Sequence, residues 1–194
     1  MSKQRIILFL LLSAALWGLP RRAVAQIFAV RANALAACSA TLNVGAEAAL
    51  QFAPWRSLEI NTAYGYTDAR FVRYDNGIED FKDNRIPYAP QHTLSAQAAW
   101  TLPTGVKWLG DVVLQAGVRC AGRIWWNEEN TLSQPFYALA DASVRFEHKH
   151  YSLDIWGRNL GGARYDVFYF KSIGNEFVQR GRPRTFGITL NINI

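Results

Sequence analysis

Three groups of side chains in this 194-residue chain have types and spacings that could do chemistry. His148 and His150 stand one residue apart and could serve as two metal ligands, but on a strand or tight turn they lack a third ligand at a useful spacing. They read as a solvated turn. Asp75, Glu79, Asp80 and Asp83 offer hard oxygen donors that would suit calcium, yet the ordered spacing of a calcium loop is missing, and they read as a solvated acidic loop. Asp111, Arg119, Asp141, Arg145, Asp154 and Arg158 have mixed sign and recur on the polar side of alternating segments, a pattern that favours pairing over substrate binding. Cys-x-x-Cys, HExxH, Walker and Gly-x-Ser-x-Gly sequences are all absent, so the motifs give no support for an enzyme. No catalytic, cofactor-binding or metal residue is assigned, and the substrate-binding residues are unknown.

The elements that must carry these side chains read as strands. Over Thr185 to Ile194, Phe186, Ile188, Leu190, Ile192 and Ile194 share one face, while Gly187, Thr189, Asn191 and Asn193 share the other. A period of two gives a strand with one apolar and one wet face. The pattern recurs at about 43–53, 58–75, 92–102, 108–126, 136–148 and 151–160, each long enough to supply the ~9–11 residues that cross a bilayer as a tilted strand. Seven strands are expected, in an all-β, antiparallel, up-and-down arrangement. Short turns near Pro54 to Ser57, Thr104-Gly105 and 148–150 alternate with long connections at 76–91, 127–135 and 161–183, the asymmetry of an outer-membrane barrel. That arrangement puts Trp55, Trp100 and Trp108 at one membrane interface and Tyr64, Tyr66, Trp125 and Trp126 at the other. A soluble sandwich or lipocalin-like barrel also alternates, with its apolar face turned inward.

Hydrophobic residues make up 50% of the chain and aromatic residues 13%, with seven Trp, which excludes a disordered chain and suits interfacial girdles. Residues 1–25 predict a signal peptide: Lys3 and Arg5, an apolar stretch from Ile6 to Leu19, and Ala23-Val24-Ala25 before Gln26. The apolar run falls short of the ~20 residues of a spanning helix. Leu35-Ala36-Ala37-Cys38 looks like a lipoprotein site but does not directly follow the apolar run, and Cys120 lies within a strand pattern, so no disulfide is predicted. The net charge of +6 is dispersed along the chain. In an exported protein it suits loops and a wet lumen, with no nucleic-acid partner.

The carboxy-terminal part resembles the end of TonB-dependent outer-membrane receptors, especially the Bacteroidetes type. The resemblance rests on Ile86-Pro87-Tyr88-Ala89-Pro90-Gln91-His92, on Gly157-Arg158-Asn159-Leu160 followed by Tyr165, and on Gly181-Arg182-Pro183-Arg184-Thr185-Phe186-Gly187-Ile188-Thr189-Leu190. It covers about residues 43–194 and implies the last seven strands of a 22-stranded barrel, with residues 26–42 as a short linker. Two positions depart from the family's pattern: Gly162 stands where Asp or Asn is frequent, and Ile194 where the last residue is usually aromatic.

The resemblance implies residence in the cell outer membrane and, in the intact family, energy-coupled uptake of an iron chelate, cobalamin or glycan. It also implies contacts with outer-membrane lipid, and with the barrel assembly machinery through the last strand. The plug, early strands and TonB-contacting segment have no counterpart in 26–42, so the chain reads as a truncated barrel, not transport-competent alone and without a cofactor. The alternatives are a self-contained eight-stranded barrel with a structural or adhesive role, residues 27–42 adding a strand, and a soluble periplasmic β-binding protein.

Overall fold

The computed structural model describes residues 24–32, 39–106 and 108–192. Its strands are β1 (Val24–Ala32), β2 (Ser39–Trp55), β3 (Leu58–Tyr74), β4 (His92–Pro103), β5 (Asp111–Ala121), β6 (Ile124–Trp125), β7 (Ser133–Gln134), β8 (Tyr137–Glu147), β9 (Tyr151–Arg158), β10 (Asp166–Ser172), β11 (Asn175–Arg180) and β12 (Thr185–Ile192). Eight form one sheet in the order β1-β2-β3-β4-β5-β8-β9-β12, and β6–β7 and β10–β11 are separate two-stranded ribbons. Every sheet neighbour is antiparallel. β1 and β12 are the two edges, and among the described residues they do not pair with each other.

The seven expected strands are all present, and β1 adds an eighth. Residues 26–42, read as a linker, therefore need correcting: Gln26 to Ala32 belong to β1, paired with β2 from Val24 opposite Gln51 to Ala32 opposite Val44, and β2 itself begins at Ser39. Strand preference is set mainly by the neighbours a segment meets, and β2 supplies a ladder to β1 that is interrupted by a register shift between Phe28 and Arg31. Most of the expected leader, along with Cys38 and Ile194, lies outside the described residues.

The register sorts side chains into two faces. One row crosses the sheet as Leu58, Trp100, Leu114, Val144, Ile155 and Ile188. The row beside it, one residue further along each strand or back, is Glu59, Ala99, Gln115, Ser143, Trp156 and Gly187. The apolar row faces outward: Trp100 is 46% exposed and Ile188 70%. No large side chain among the described residues is fully buried, so the sheet is a wall with its hydrophobic surface on the outside. A soluble sandwich or lipocalin would hide this face.

The turn end carries Trp55, Trp100 and Trp108, all exposed, as a girdle requires. At the loop end, Tyr64 is exposed and its hydroxyl lies 2.7 Å from His92 Nδ1. Trp126 was expected in that second girdle, but it is only 8% exposed and packs against Tyr88. The chain leaves the sheet at Ala121, so strand parity no longer places Trp126 on the outer face.

The last strand is held by ring-over-glycine packing. A Cβ added at Gly187 would fall 2.2 Å from Cζ2 of Trp156, whose Nε1 donates to Thr189 Oγ1 at 3.1 Å. Likewise, a Cβ at Gly181 would fall 2.1 Å from Cζ of Tyr165. Gly187→Val should evict the indole and cost ~1–3 kcal/mol, the usual range for overpacking. A urea titration followed by tryptophan fluorescence measures this, and an unchanged midpoint would show that the ring does not depend on the glycine.

Candidate functional site

The concave face of the sheet holds a trough of about 460 Å³ lined by polar side chains from β3, β4, β5, β8 and β9. Five of the six charged residues picked out in the sequence lie in it: Arg119, Asp141, Arg145, Asp154 and Arg158. The sixth, Asp111, stands at the turn end opposite Pro103 and Glu147. Two opposite-charge pairs form across strands, Arg119 Nη2 to Asp141 Oδ2 at 2.9 Å and Arg145 Nη2 to Asp154 Oδ2 at 3.6 Å. Both are partly exposed, so each is worth no more than ~1 kcal/mol. They orient groups along the wall. The Arg158 guanidinium lies 5.4 Å from the centre of the Trp156 ring. Glu59, Asn61, Gln97 and Gln115, which alternation places on the polar face but which were not singled out as site residues, complete the polar lining.

Asp141 links the trough to the loop end. Its Oδ1 accepts the Asn159 backbone N–H at 2.9 Å, and Asn159 is 4% exposed with a φ of 49°. The Asn159 side chain closes the neck of the 159–184 connection: Nδ2 donates to Ala163 O at 2.9 Å and to Arg182 O at 3.0 Å, and Oδ1 accepts from Ala163 N at 2.8 Å. This gives the Gly-Arg-Asn-Leu motif a physical role. Gly157 belongs to the same device, since a Cβ there would meet Leu160 at 2.7 Å and the Phe186 ring at 3.0 Å.

Three long connections are laced into one layer above the sheet. Asn130 Oδ1 accepts from Arg85 N at 2.7 Å and its Nδ2 donates to Arg85 O at 2.9 Å. Tyr88, at a φ of 63°, donates its backbone N–H to Trp125 O at 2.8 Å and its hydroxyl to Tyr169 O at 2.5 Å. Its ring lies 5.5 Å from Trp126 and 5.6 Å from Phe168. Tyr88 comes from the Ile-Pro-Tyr-Ala-Pro segment, so that motif joins the layer together. Below it, Asp68 Oδ1 accepts from Arg70 and Arg85 at 3.0 and 3.1 Å.

The histidines and the acidic loop sit apart from both features. His148 stacks on Tyr151, 4.8 Å between ring centres, in the β8–β9 turn. Asp75 Oδ1 accepts from Gly77 N at 2.7 Å and Asp80 Oδ1 from Lys82 N at 3.0 Å, so these carboxylates build local turns.

A family model described as TonB dependent receptor-like, beta-barrel, matches residues 28–160. The chain belongs to that family. It is an outer-membrane protein, with the apolar face of the sheet embedded in lipid. A ferrioxamine receptor of Yersinia enterocolitica is 33% identical over 99 residues, covering 51% of this chain and 12% of the receptor. The crystal structure of the ferric yersiniabactin uptake receptor FyuA from Yersinia pestis superposes with a TM-score of 0.74 at 18% identity, covering 89% of this chain and 28% of that one. That of the ferric-catecholate import receptor Fiu from K12 E. coli gives 0.67 at 18% identity over 90% of this chain and 26% of that one. The chain thus spans well under a third of the length of these relatives.

Proposed function

We propose that this chain supplies part of the barrel wall of an outer-membrane receptor that takes up a ferric siderophore with energy from TonB, and that it does not transport alone. The observation that carries the reading is the sheet itself: an apolar outer face, a polar trough inside, and two edges that, among the described residues, do not pair with each other. In hydrocarbon an open edge leaves backbone donors and acceptors unsatisfied at several kcal/mol each, so β1 and β12 need further strands to pair with. The relatives named above, a ferrioxamine receptor and ferric-siderophore receptors, supply the substrate class. The barrel assembly machinery is the partner that would read the last strand. A plug would lie against the trough, where Arg119, Asp141 and Asp154 offer charges to meet it.

The test is a chimaera in which residues 24–192 replace the matching last strands of a ferrioxamine receptor, expressed in cells lacking their own receptors. Uptake of radiolabelled ferric ferrioxamine should be restored in the chimaera and stay at background when the chain is expressed alone. A chimaera that assembles in the outer membrane but takes up no ferric siderophore of any chemical class would sink the reading.

A further inference from the structure

The connection from β9 to β12 ends in a set of arginines that the transport reading does not use. Arg164, Arg180 and Arg184 line a cavity of about 680 Å³ together with Gly162, Tyr165 and Asp166. All three are exposed, and among the described residues none has a carboxylate oxygen within 4.0 Å. Arg180 stands opposite Asp166 in the β10–β11 ladder and still forms no ion pair. Three guanidiniums against one carboxylate leave the cavity with a surplus of two positive charges.

Gly162 makes the room. Its φ is 65°, and a Cβ added there would stand 2.9 Å from Arg184 Nη2. The guanidinium therefore rests where a side chain at 162 would be. Asp and Asn tolerate this left-handed backbone, so an Asp at 162 would put a carboxylate beside Arg184, and Gly leaves that cation open. The cavity also has a defined height. Phe186, 70% exposed, is the last outward-facing apolar residue at the loop end of β12, and Arg184 lies two residues beyond it, ~7 Å further along the chain. That is the level of lipid head groups.

We propose that Arg164, Arg180 and Arg184 form a binding site for a phosphate dianion, presented as the phosphomonoester head group of a membrane lipid. A guanidinium fork matches phosphate oxygens in a bidentate way, and the surplus of two charges matches the dianion.

The chimaeric receptor, extracted from outer membranes in detergent, should bind nanodiscs containing phosphatidic acid more tightly than nanodiscs of phosphatidylcholine alone. Arg184→Gln and Gly162→Asp should each weaken that preference about ten- to a hundredfold, the range for losing a charge-assisted contact, while Gly162→Asn, which moves the guanidinium without adding a charge, should weaken it less than Gly162→Asp. Circular dichroism confirms equal strand content in every variant compared. Titration with inorganic phosphate separates the sources: binding of free phosphate with the same sensitivity to the variants but no lipid preference would overturn the lipid assignment. Equal binding to both nanodiscs with no phosphate binding, or a preference that survives both Arg184→Gln and Gly162→Asp, would overturn the site.

Discussion

Asn159→Ala should cost ~3–5 kcal/mol and open the neck of the 159–184 connection. The Asn159 side chain makes three hydrogen bonds between 2.8 and 3.0 Å, all to backbone groups. Truncation leaves Ala163 N and two carbonyls without those partners in a position only 4% exposed. A buried group left unsatisfied costs ~1–3 kcal/mol, and alanine at a φ of 49° adds backbone strain that asparagine tolerates. Asn159→Asp separates the contributions: it keeps the acceptor for Ala163 N but turns a carboxylate oxygen toward the carbonyls of Ala163 and Arg182, so its loss should be nearly as large. Folded fraction is read from heat-modifiable gel mobility of the chimaeric receptor across a urea series, and neck opening from proteolysis between Gly161 and Arg184. A variant with wild-type midpoint and intact loop would show that the backbone holds the neck without the side chain.

The part of the fold readable in the sequence was the part governed by alternation. Strands such as His92–Pro103 and Tyr137–Glu147 lie within a residue or so of the expected ranges, because lipid on one side and water on the other impose a period of two on the residues themselves. The pairing of Arg119 with Asp141 and of Arg145 with Asp154 followed from the same faces. What stayed hidden depends on partners distant in the chain. β1 lies in the stretch read as leader and linker and is a strand because β2 lies beside it. Trp126 looked interfacial but is covered by Tyr88, 38 positions away by number. The β10–β11 hairpin sat within a segment read as loop, although Phe168, Phe170 and the turn at Ile173-Gly174 before Phe177 were a usable signal. Gly162, in the sequence a departure from the family's pattern, takes its meaning from Arg184, which lies against it.

Alternation alone does not say which face meets lipid, and neighbouring residues on β5 decide that. Leu114 is paired with Trp100 and Val144 in the apolar row, and Gln115 with Ala99 and Ser143 in the trough row. A charge on the lipid face costs ~2–4 kcal/mol at the bilayer midplane and less toward the interfaces, whereas one on the lumen face meets water and polar groups. Leu114, opposite Trp100 of the turn-end girdle, lies toward the interface. Leu114→Arg should therefore reduce the chimaeric receptor recovered in the outer membrane and lower its urea midpoint. Gln115→Arg should leave both near wild type, since its trough is polar and open to water. Membrane fractionation with quantitative blotting of the two variants measures the difference. In a soluble barrel the same pair would also differ, because position 114 would then be core; the discriminating measurement is Leu114→Phe, which enlarges the side chain without adding charge. Overpacking a protein core costs ~1–3 kcal/mol, while lipid yields to the larger ring. Wild-type recovery and midpoint for Leu114→Phe, together with loss for Leu114→Arg, is the outcome that only a lipid-facing Leu114 produces.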